Sequence, residues 1–298
     1  MTGRLVVRMG EKETRTTMHH RPQCALITGA SQGLGRAFAE ECAGRGMSLV
    51  LAALPDTGLS DLVRILQRAY QVPIEAIECD LTCPEVPAQI AVCARARGFD
   101  VDTLINNAGV GFTSRFAQSS PSQNEATVQL NVAALVRLTQ EMLPGLAGKP
   151  RAWILNVASL GAFFPMPSMP VYSSTKAFVL TFTRLLRAEL RGSSVQVSVL
   201  CPNGIRTNRA TRDLIERQGL AGRLTCRYPD EVARTALRGL FRGTGVIVPG
   251  VTNRLLAGAS PLVPQELYMR VISRRWGTEE GRRHAAAATR VAAVTSAL

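Results

Sequence analysis

Tyr172 and Lys176 stand four residues apart in the segment PVYSSTKAF (170–178), within a stretch of helical periodicity whose expected core face is Phe178, Phe182 and Leu185. That spacing stacks a phenol and an ammonium on one side of a helix. An adjacent cation lowers a phenol's pKa from about 10 towards the range useful for acid–base catalysis. The sequence has only three lysines, Lys12, Lys149 and Lys176, amid abundant arginine. A lysine at this interior position points to a need for a compact point charge. Alone, a Tyr-x3-Lys pair is also an ordinary helix surface. Ser159 closes an apolar run thirteen residues before Tyr172. Its hydroxyl can hold a substrate oxygen beside the phenol, or simply cap a turn. Asn131 falls in the middle of an apolar helical face marked by Val128, Leu135, Leu138 and Met142. A buried amide without partners costs on the order of 1–3 kcal/mol, so something polar must meet it. A structural hydrogen bond would serve, as would a water chain reaching an active site.

A second group of residues has the chemistry of phosphate binding. Thr28-Gly29-Ala30-Ser31-Gln32-Gly33-Leu34-Gly35 follows the first apolar run directly. Glycines in such a loop let the backbone turn tightly and approach a pyrophosphate, which then sits on the N-terminus of the next helix. Leu34, Phe38 and Cys42 give that helix a buried stripe. The spacing Gly-x3-Gly-x-Gly is weak as a motif by itself and gains weight from its position after a strand.

The second strand ends Leu51-Ala52-Ala53-Leu54-Pro55, with neither a carboxylate for a ribose 2′-hydroxyl nor an Arg for a 2′-phosphate. Asp56 comes slightly late and can instead cap the next helix. The missing carboxylate mildly favours NADP(H) over NAD(H), and Arg36 is either a phosphate partner or a solvated side chain. Asp80, followed by Leu81, ends the third strand, where an acid can accept from an adenine amino group or cap the following helix. Asn106-Asn107-Ala108-Gly109 ends the fourth, and Cys201-Pro202-Asn203-Gly204-Ile205-Arg206-Thr207 follows the sixth. Both lie at the carboxyl edge of a parallel sheet, where ligands bind in such architectures.

The elements that must position these groups are short apolar runs at 24–28, 48–53, 74–79, 103–106, 152–157, 195–200 and 246–248, separated by helical periodicity. Near-continuous apolar strands alternating with helices predict an α/β fold, a doubly wound parallel sheet with helices on both faces. Residues 23–250 read as one domain, preceded by an extension at 1–22. No repeat or linker divides that domain. Residues 206–229 are Arg-rich, weakly patterned and placed where a substrate lid would lie. Residues 251–276 are apolar with Arg254, Arg270, Arg274 and Arg275. They read best as a docked helical extension; covering the cleft, pairing subunits or lying on a membrane surface are the other readings. Residues 277–298 read as a frayed tail.

Composition excludes several function classes. The 298 residues are 46% hydrophobic and 19% charged, as in an ordinary globular protein. No run approaches a membrane span, and residues 1–22 lack the apolar core of a signal peptide, so the expected location is cytoplasmic. Met18 is an alternative start. Seven scattered cysteines read as a reduced interior, without the companions of a zinc site at Cys79 and Cys83. The only histidines, His19, His20 and His284, lie outside the periodic body, which argues against His-centred triads and multi-His metal sites. More than half of the +13 charge lies in the two ends, and no basic stretch is interleaved with aromatics, so nucleic acid is not the expected partner.

Each feature alone is weak; their ordered set is specific. Thr28–Gly35, Asp80, Asn106–Gly109, Asn131, Ser159, Tyr172/Lys176 and Pro202–Thr207 resemble the short-chain dehydrogenase/reductase family, in its compact single-domain branch, over residues 24–250. The resemblance implies strand order 3-2-1-4-5-6-7, an NAD(P) cofactor and a catalytic set of Asn131, Ser159, Tyr172 and Lys176. In that set Tyr172 exchanges a proton with the substrate oxygen, and Lys176 lowers its pKa and holds the nicotinamide ribose. Ser159 orients the substrate, and Asn131 anchors a relay water. Cofactor contacts are implied for Gly29, Ser31, Gln32, Gly33, Leu34, Asp80, Leu81, Asn107, Ala108, Gly109, Tyr172, Lys176, Pro202, Asn203, Ile205 and Thr207. A departure is Asn203, where the family commonly has Gly. The expected substrate is a carbonyl or alcohol, and Phe163, Phe164, Met166 and Met169 suggest a hydrophobic one. Family habit implies a homodimer or homotetramer. A non-catalytic dinucleotide sensor or scaffold, or an isomerase or dehydratase on the same fold, are the rival readings.

Overall fold

The computed structural model describes residues 22–166, 168–205, 225–264 and 268–270. Seven strands, β1 (Cys24–Thr28), β2 (Ser48–Ala53), β3 (Ile74–Glu78), β4 (Thr103–Asn106), β5 (Ala152–Val157), β6 (Val195–Leu200) and β7 (Val246–Ile247), form one sheet. Its order is β3-β2-β1-β4-β5-β6-β7, and every pairing is parallel. The expected fold and strand order are therefore found. Parallel neighbours require crossovers, and helices provide them on both faces.

Alternation along the strands sorts the core into two layers. Ala25, Ile27, Leu49, Leu51, Ile105, Trp153 and Leu155 face α1 (Gly33–Ala43), α2 (Leu59–Tyr70) and a later helix, which we number α7 (Pro229–Phe241). Leu26, Val50, Leu104, Ile154 and Val197 face α3 (Val86–Ala96), α5 (Leu135–Ala147) and α6 (Pro170–Glu189). α1 carries the expected stripe, with Leu34, Phe38 and Cys42 buried. α4 (Pro121–Val128) runs through a π-helical segment, Gln129–Ala134, into α5. After β7 come a helix numbered α8 (Val251–Ala259) and a 3₁₀ turn, Ser260–Leu262.

Two expected core faces are corrected. Val128 is exposed, whereas Asn131, Leu135, Leu138 and Met142 are buried. The π segment is wider than 3.6 residues per turn, so the spacing that sets a regular helical face does not carry through it. On α6 the buried side is Ser173, Thr175, Lys176, Val179, Leu180, Thr183 and Leu186. Phe178 and Leu185 face outward instead, and the Phe178 and Phe182 rings stack at 5.9 Å. The inward polar residues have partners there: Thr183 accepts from Asn156 Nδ2 at 3.0 Å and donates to the Val179 carbonyl at 2.6 Å. Satisfied polar groups can occupy a core face that periodicity assigns to aromatics.

The N-terminal extension up to residue 21, most of the candidate lid, Thr207 and the expected tail lie outside the described residues.

Candidate active site

The glycine loop at the end of β1 has the backbone its sequence demands. Gly29 and Gly33 adopt φ of +63° and +55°, which disfavour a side chain. A Cβ at Gly35 would lie 1.9 Å from the Gly29 carbonyl oxygen, so α1 starts pressed against the loop. Gln32 caps α1 without a side-chain hydrogen bond, and the N-terminal N–H groups of a helix are an anion site. Ser31 and Gly33 are half-buried, Gln32 is exposed and Leu34 is buried. The loop is stapled to the end of β4. Thr28 Oγ1 accepts from the Asn107 and Ala108 N–H groups at 3.0 Å each. Asn107 Nδ2 donates to the Thr28 and Gly29 carbonyls at 2.9 and 3.2 Å.

The tip of β2 carries no charge. Leu54 is 51% exposed, and its carbonyl accepts from Thr57 Oγ1 at 2.6 Å. Arg36 pairs with Glu40 at 2.8 Å on the exposed side of α1. At the tip of β3, Asp80 accepts from the Thr82 N–H and hydroxyl at 2.9 and 2.8 Å, closing the turn there; it does not cap the next helix, whose N-cap is Glu85. Leu81 lines a small cavity with Thr28, Asn106 and Ala108.

α6 carries the acid–base pair towards this edge. Lys176 is buried and donates from Nζ to the Val157 carbonyl at the end of β5, at 3.0 Å. Its Nζ lies 5.7 Å from the centre of the Tyr172 ring. Desolvation lowers the Lys176 pKa to about 8. Burial pushes the Tyr172 phenol above its ordinary value, and a hydrogen bond with Ser159 pulls it back part of the way. The lowering expected from Lys176 is not found: desolvation of the phenolate dominates, and the group that opposes it is Ser159. Ser159 also accepts from the Gly161 N–H at 3.0 Å, so it both starts the 3₁₀ turn at 160–162 and meets the phenol.

Asn131 is bound on both sides. Its Oδ1 accepts from the Val110 N–H at 2.9 Å, and its Nδ2 donates to the Val110 carbonyl at 2.9 Å and to Thr175 Oγ1 at 3.0 Å. The amide therefore clamps the loop after β4 onto α6. Gly109 lies between these groups: a Cβ there would sit 3.0 Å from Asn131 Oδ1 and 3.1 Å from Lys176 Nζ. A Cβ at Gly111 would lie 2.4 Å from Tyr172 Cδ2, so that glycine lets the loop lie flat against the ring. At the third side, the Leu160 N–H donates to the Pro202 carbonyl at 2.7 Å, tying the Ser159 turn to the segment after β6. Pro202 is buried, Asn203 and Ile205 are half-buried, and Ile205 bridges to Arg227. Cys201 lies close enough to Lys176 for their charges to couple, and burial pushes its thiol up to about 12.

Asn131, Ser159, Tyr172, Lys176 and Gly109 thus form one cluster, bordered by the glycine loop, Asn107, Ala108 and Pro202. Asp80 and Leu81 sit further along the same edge. Thr175, the Val157 carbonyl and Gly111 belong to the cluster and were not singled out from sequence. Thr175, one residue before Lys176 on the inward side of α6, carried a signal in its position; Gly111 carried none. The apolar approach is half-buried at Phe163, Phe164, Met166 and Met169. Met166 Cε and Ser159 Oγ both lie within 3.4 Å of where a Gly161 Cβ would be. Among the described residues no group of His, Cys, Asp and Glu could hold a metal ion.

A parallel α/β sheet with a glycine cradle at β1 and a Tyr–Lys–Ser cluster at the same edge defines a dinucleotide-binding oxidoreductase frame. The chain belongs to the short-chain dehydrogenase family, whose model matches residues 23–217. It is 30% identical over 182 residues to very-long-chain 3-oxoacyl-CoA reductase-B of Danio rerio, covering 60% of this chain and 58% of the relative. The match therefore spans less than two thirds of that relative's length. Among solved structures it resembles a short-chain dehydrogenase from Sphingobium yanoikuyae in complex with NADPH, with a TM-score of 0.68 and 30% identity over 89% of this chain and 95% of the other. A second, from Burkholderia phymatum in complex with NAD, gives a TM-score of 0.71 and 27% identity over 81% and 95%.

Proposed function

We propose that this chain moves a hydride between NAD(P) and a carbonyl or secondary alcohol, acting as a reductase on a hydrophobic ketone. The observation that carries the reading is the half-buried Tyr172, hydrogen-bonded to Ser159 with the Lys176 ammonium beside its ring. The glycine cradle fits a dinucleotide: its backbone leaves no room for side chains at Gly29 and Gly35, and the start of α1 is uncapped. Gly29, Ser31, Gln32, Gly33 and Leu34 would hold the pyrophosphate, and Asp80 and Leu81 the adenine. Asn107, Ala108, Gly109, Pro202, Asn203, Ile205 and Thr207 would border the nicotinamide half. When bound, the nicotinamide supplies or takes the hydride.

The chain's own residues manage the proton. A phenol whose pKa is raised by burial is protonated at neutral pH and enters as the donor to a carbonyl oxygen. Lys176, with a pKa of about 8, still carries charge there. It stabilises the phenolate left behind, a preorganised electrostatic role in a site with little water. Ser159 orients the substrate oxygen next to Tyr172. Asn131 holds the Val110 loop and α6 together and would anchor a relay water through Lys176. Phe163, Phe164, Met166 and Met169 give the approach an apolar character, which supports a hydrophobic substrate. The uncharged tip at Leu54, with Arg36 on the adjacent helix, favours NADP(H) over NAD(H). A cytoplasmic location and a homodimer or homotetramer complete the reading; the outward Phe178 and Leu185 support self-association.

Titrating the protein separately with NADPH and NADH, followed by nicotinamide fluorescence, tests the cofactor. The expected result is tighter binding of NADPH; binding of neither would remove the basis for the enzyme. Tyr172→Phe should then lower kcat roughly 10²–10⁴-fold with cofactor affinity nearly intact. A variant keeping most of its kcat would sink the proton role.

A further inference from the structure

α8 turns its apolar side chains outward. Its one buried residue is the polar Asn253, whose Nδ2 donates to the Thr225 carbonyl at 2.8 Å and the Pro249 carbonyl at 2.9 Å. Its apolar residues face out: Val251 is 62% exposed, Leu255 70%, and Leu262 in the following 3₁₀ turn 84%. Val251 and Leu255 are one turn apart and share a face. Apolar side chains grouped in one place and left in water mark a surface that something else covers. Hydrogen bonds at Asn253 therefore hold the helix by its polar side and leave its apolar side free.

Charge selects the occupant. Arg254 lies beside the strip, and the chain as a whole carries +13. Of that charge, the sequence from 270 to 298 supplies six arginines (270, 274, 275, 282, 283, 290) against Glu279 and Glu280. A second copy docking symmetrically would bring Arg254 against its own counterpart. An apolar strip edged by arginine matches instead the acyl boundary and anionic headgroups of a bilayer surface. Among the described residues no helix is long and apolar enough to cross a membrane, so contact through this strip would be with the surface alone. Beyond the turn, the Tyr268 ring lies 5.2 Å from Phe164. We propose that α8 and the turn after it dock on an anionic lipid surface. The proposal rests on exposure and charge and does not depend on the hydride-transfer reading.

Flotation of the full chain with vesicles containing phosphatidylglycerol, and separately with pure phosphatidylcholine, tests it. The expected result is flotation with the anionic vesicles only, weakened by salt as headgroup attraction is screened. Val251→Glu/Leu255→Glu should lower the bound fraction roughly tenfold, since two apolar contacts are lost and two anions gained. Arg254→Gln, milder for folding, should lower the partition coefficient roughly fivefold. Circular dichroism and NADPH titration of each variant verify that the fold is intact. A wild-type chain that does not float overturns the proposal. So do folded variants that float like wild type, and a variant whose only change is loss of a dimer in sedimentation.

Discussion

α1 and α6 lie on opposite faces of the same sheet and obey different rules. α1 buries Phe38, Ala39 and Cys42 and turns its charges, Arg36 and Glu40, to solvent. α6 buries Lys176, Thr175, Ser173 and Thr183 and turns Phe178 and Leu185 outward. Both helices start near the ligand edge. The first contributes its N-terminus to that edge and is otherwise ordinary packing. The second brings Tyr172 and Lys176 to the same edge, with Lys176 bonded to the Val157 carbonyl. A helix that only has to cover a sheet follows the hydrophobic period; one that must present chemistry follows its polar partners.

The contrast is sharpest in what each helix contributes to stability. Phe38 is fully buried in the layer formed by α1, α2 and α7. Phe38→Ala should cost about 3–5 kcal/mol in denaturant unfolding, because a large cavity opens in a close-packed layer. A loss under about 1 kcal/mol would mean that α1 is not the structural helix of the pair.

Lys176 should behave in the opposite way. Its pKa is about 8 in the folded chain against an ordinary 10.5. Between those values the unfolded chain binds the proton and the folded chain does not, so stability rises with pH through that window. Below about pH 8 the folded chain must hold a desolvated ammonium, a cost only partly offset by the bond to the Val157 carbonyl. Lys176→Met should therefore raise the unfolding free energy at pH 7 by on the order of 1–3 kcal/mol while abolishing turnover. Its melting temperature should also lose the upward trend between pH 8 and 10 that the wild type is expected to have. A destabilised Lys176→Met would mean that the ammonium holds the site together instead of straining it.

The same contrast explains what was legible in the sequence. The sheet was readable because its inner strands are buried on both sides, so runs such as CALIT and AWILNV announce themselves without any partner. The glycine loop was readable because close backbone approach at Gly29 and Gly35 excludes side chains. The apolar face on α6 departs from its period because periodicity counts residue types and is blind to hydrogen bonds. Thr183 looks polar in sequence, yet with Asn156 beside it the core accepts it. The π segment at Gln129–Ala134 shifts the register locally, and no residue in it declares that. The direction of the Tyr172 shift was misjudged because sequence shows the lysine four residues away but not the depth at which both are buried.

The smallest expected effect lies on the outer side of α6. Phe178 is 42% exposed and stacks on Phe182 with the rings 9° from parallel. Removing it loses one ring contact and part of a side chain's burial, without opening a cavity. Phe178→Ser should cost about 1 kcal/mol or less in dilute protein, well below Phe38→Ala. If this face packs against a second copy, the cost should grow with protein concentration, because association adds to the apparent stability of the wild type alone. Unfolding at two concentrations a hundredfold apart separates the cases. A cost that is large and independent of concentration would place Phe178 in the interior and overturn the comparison between the two helices.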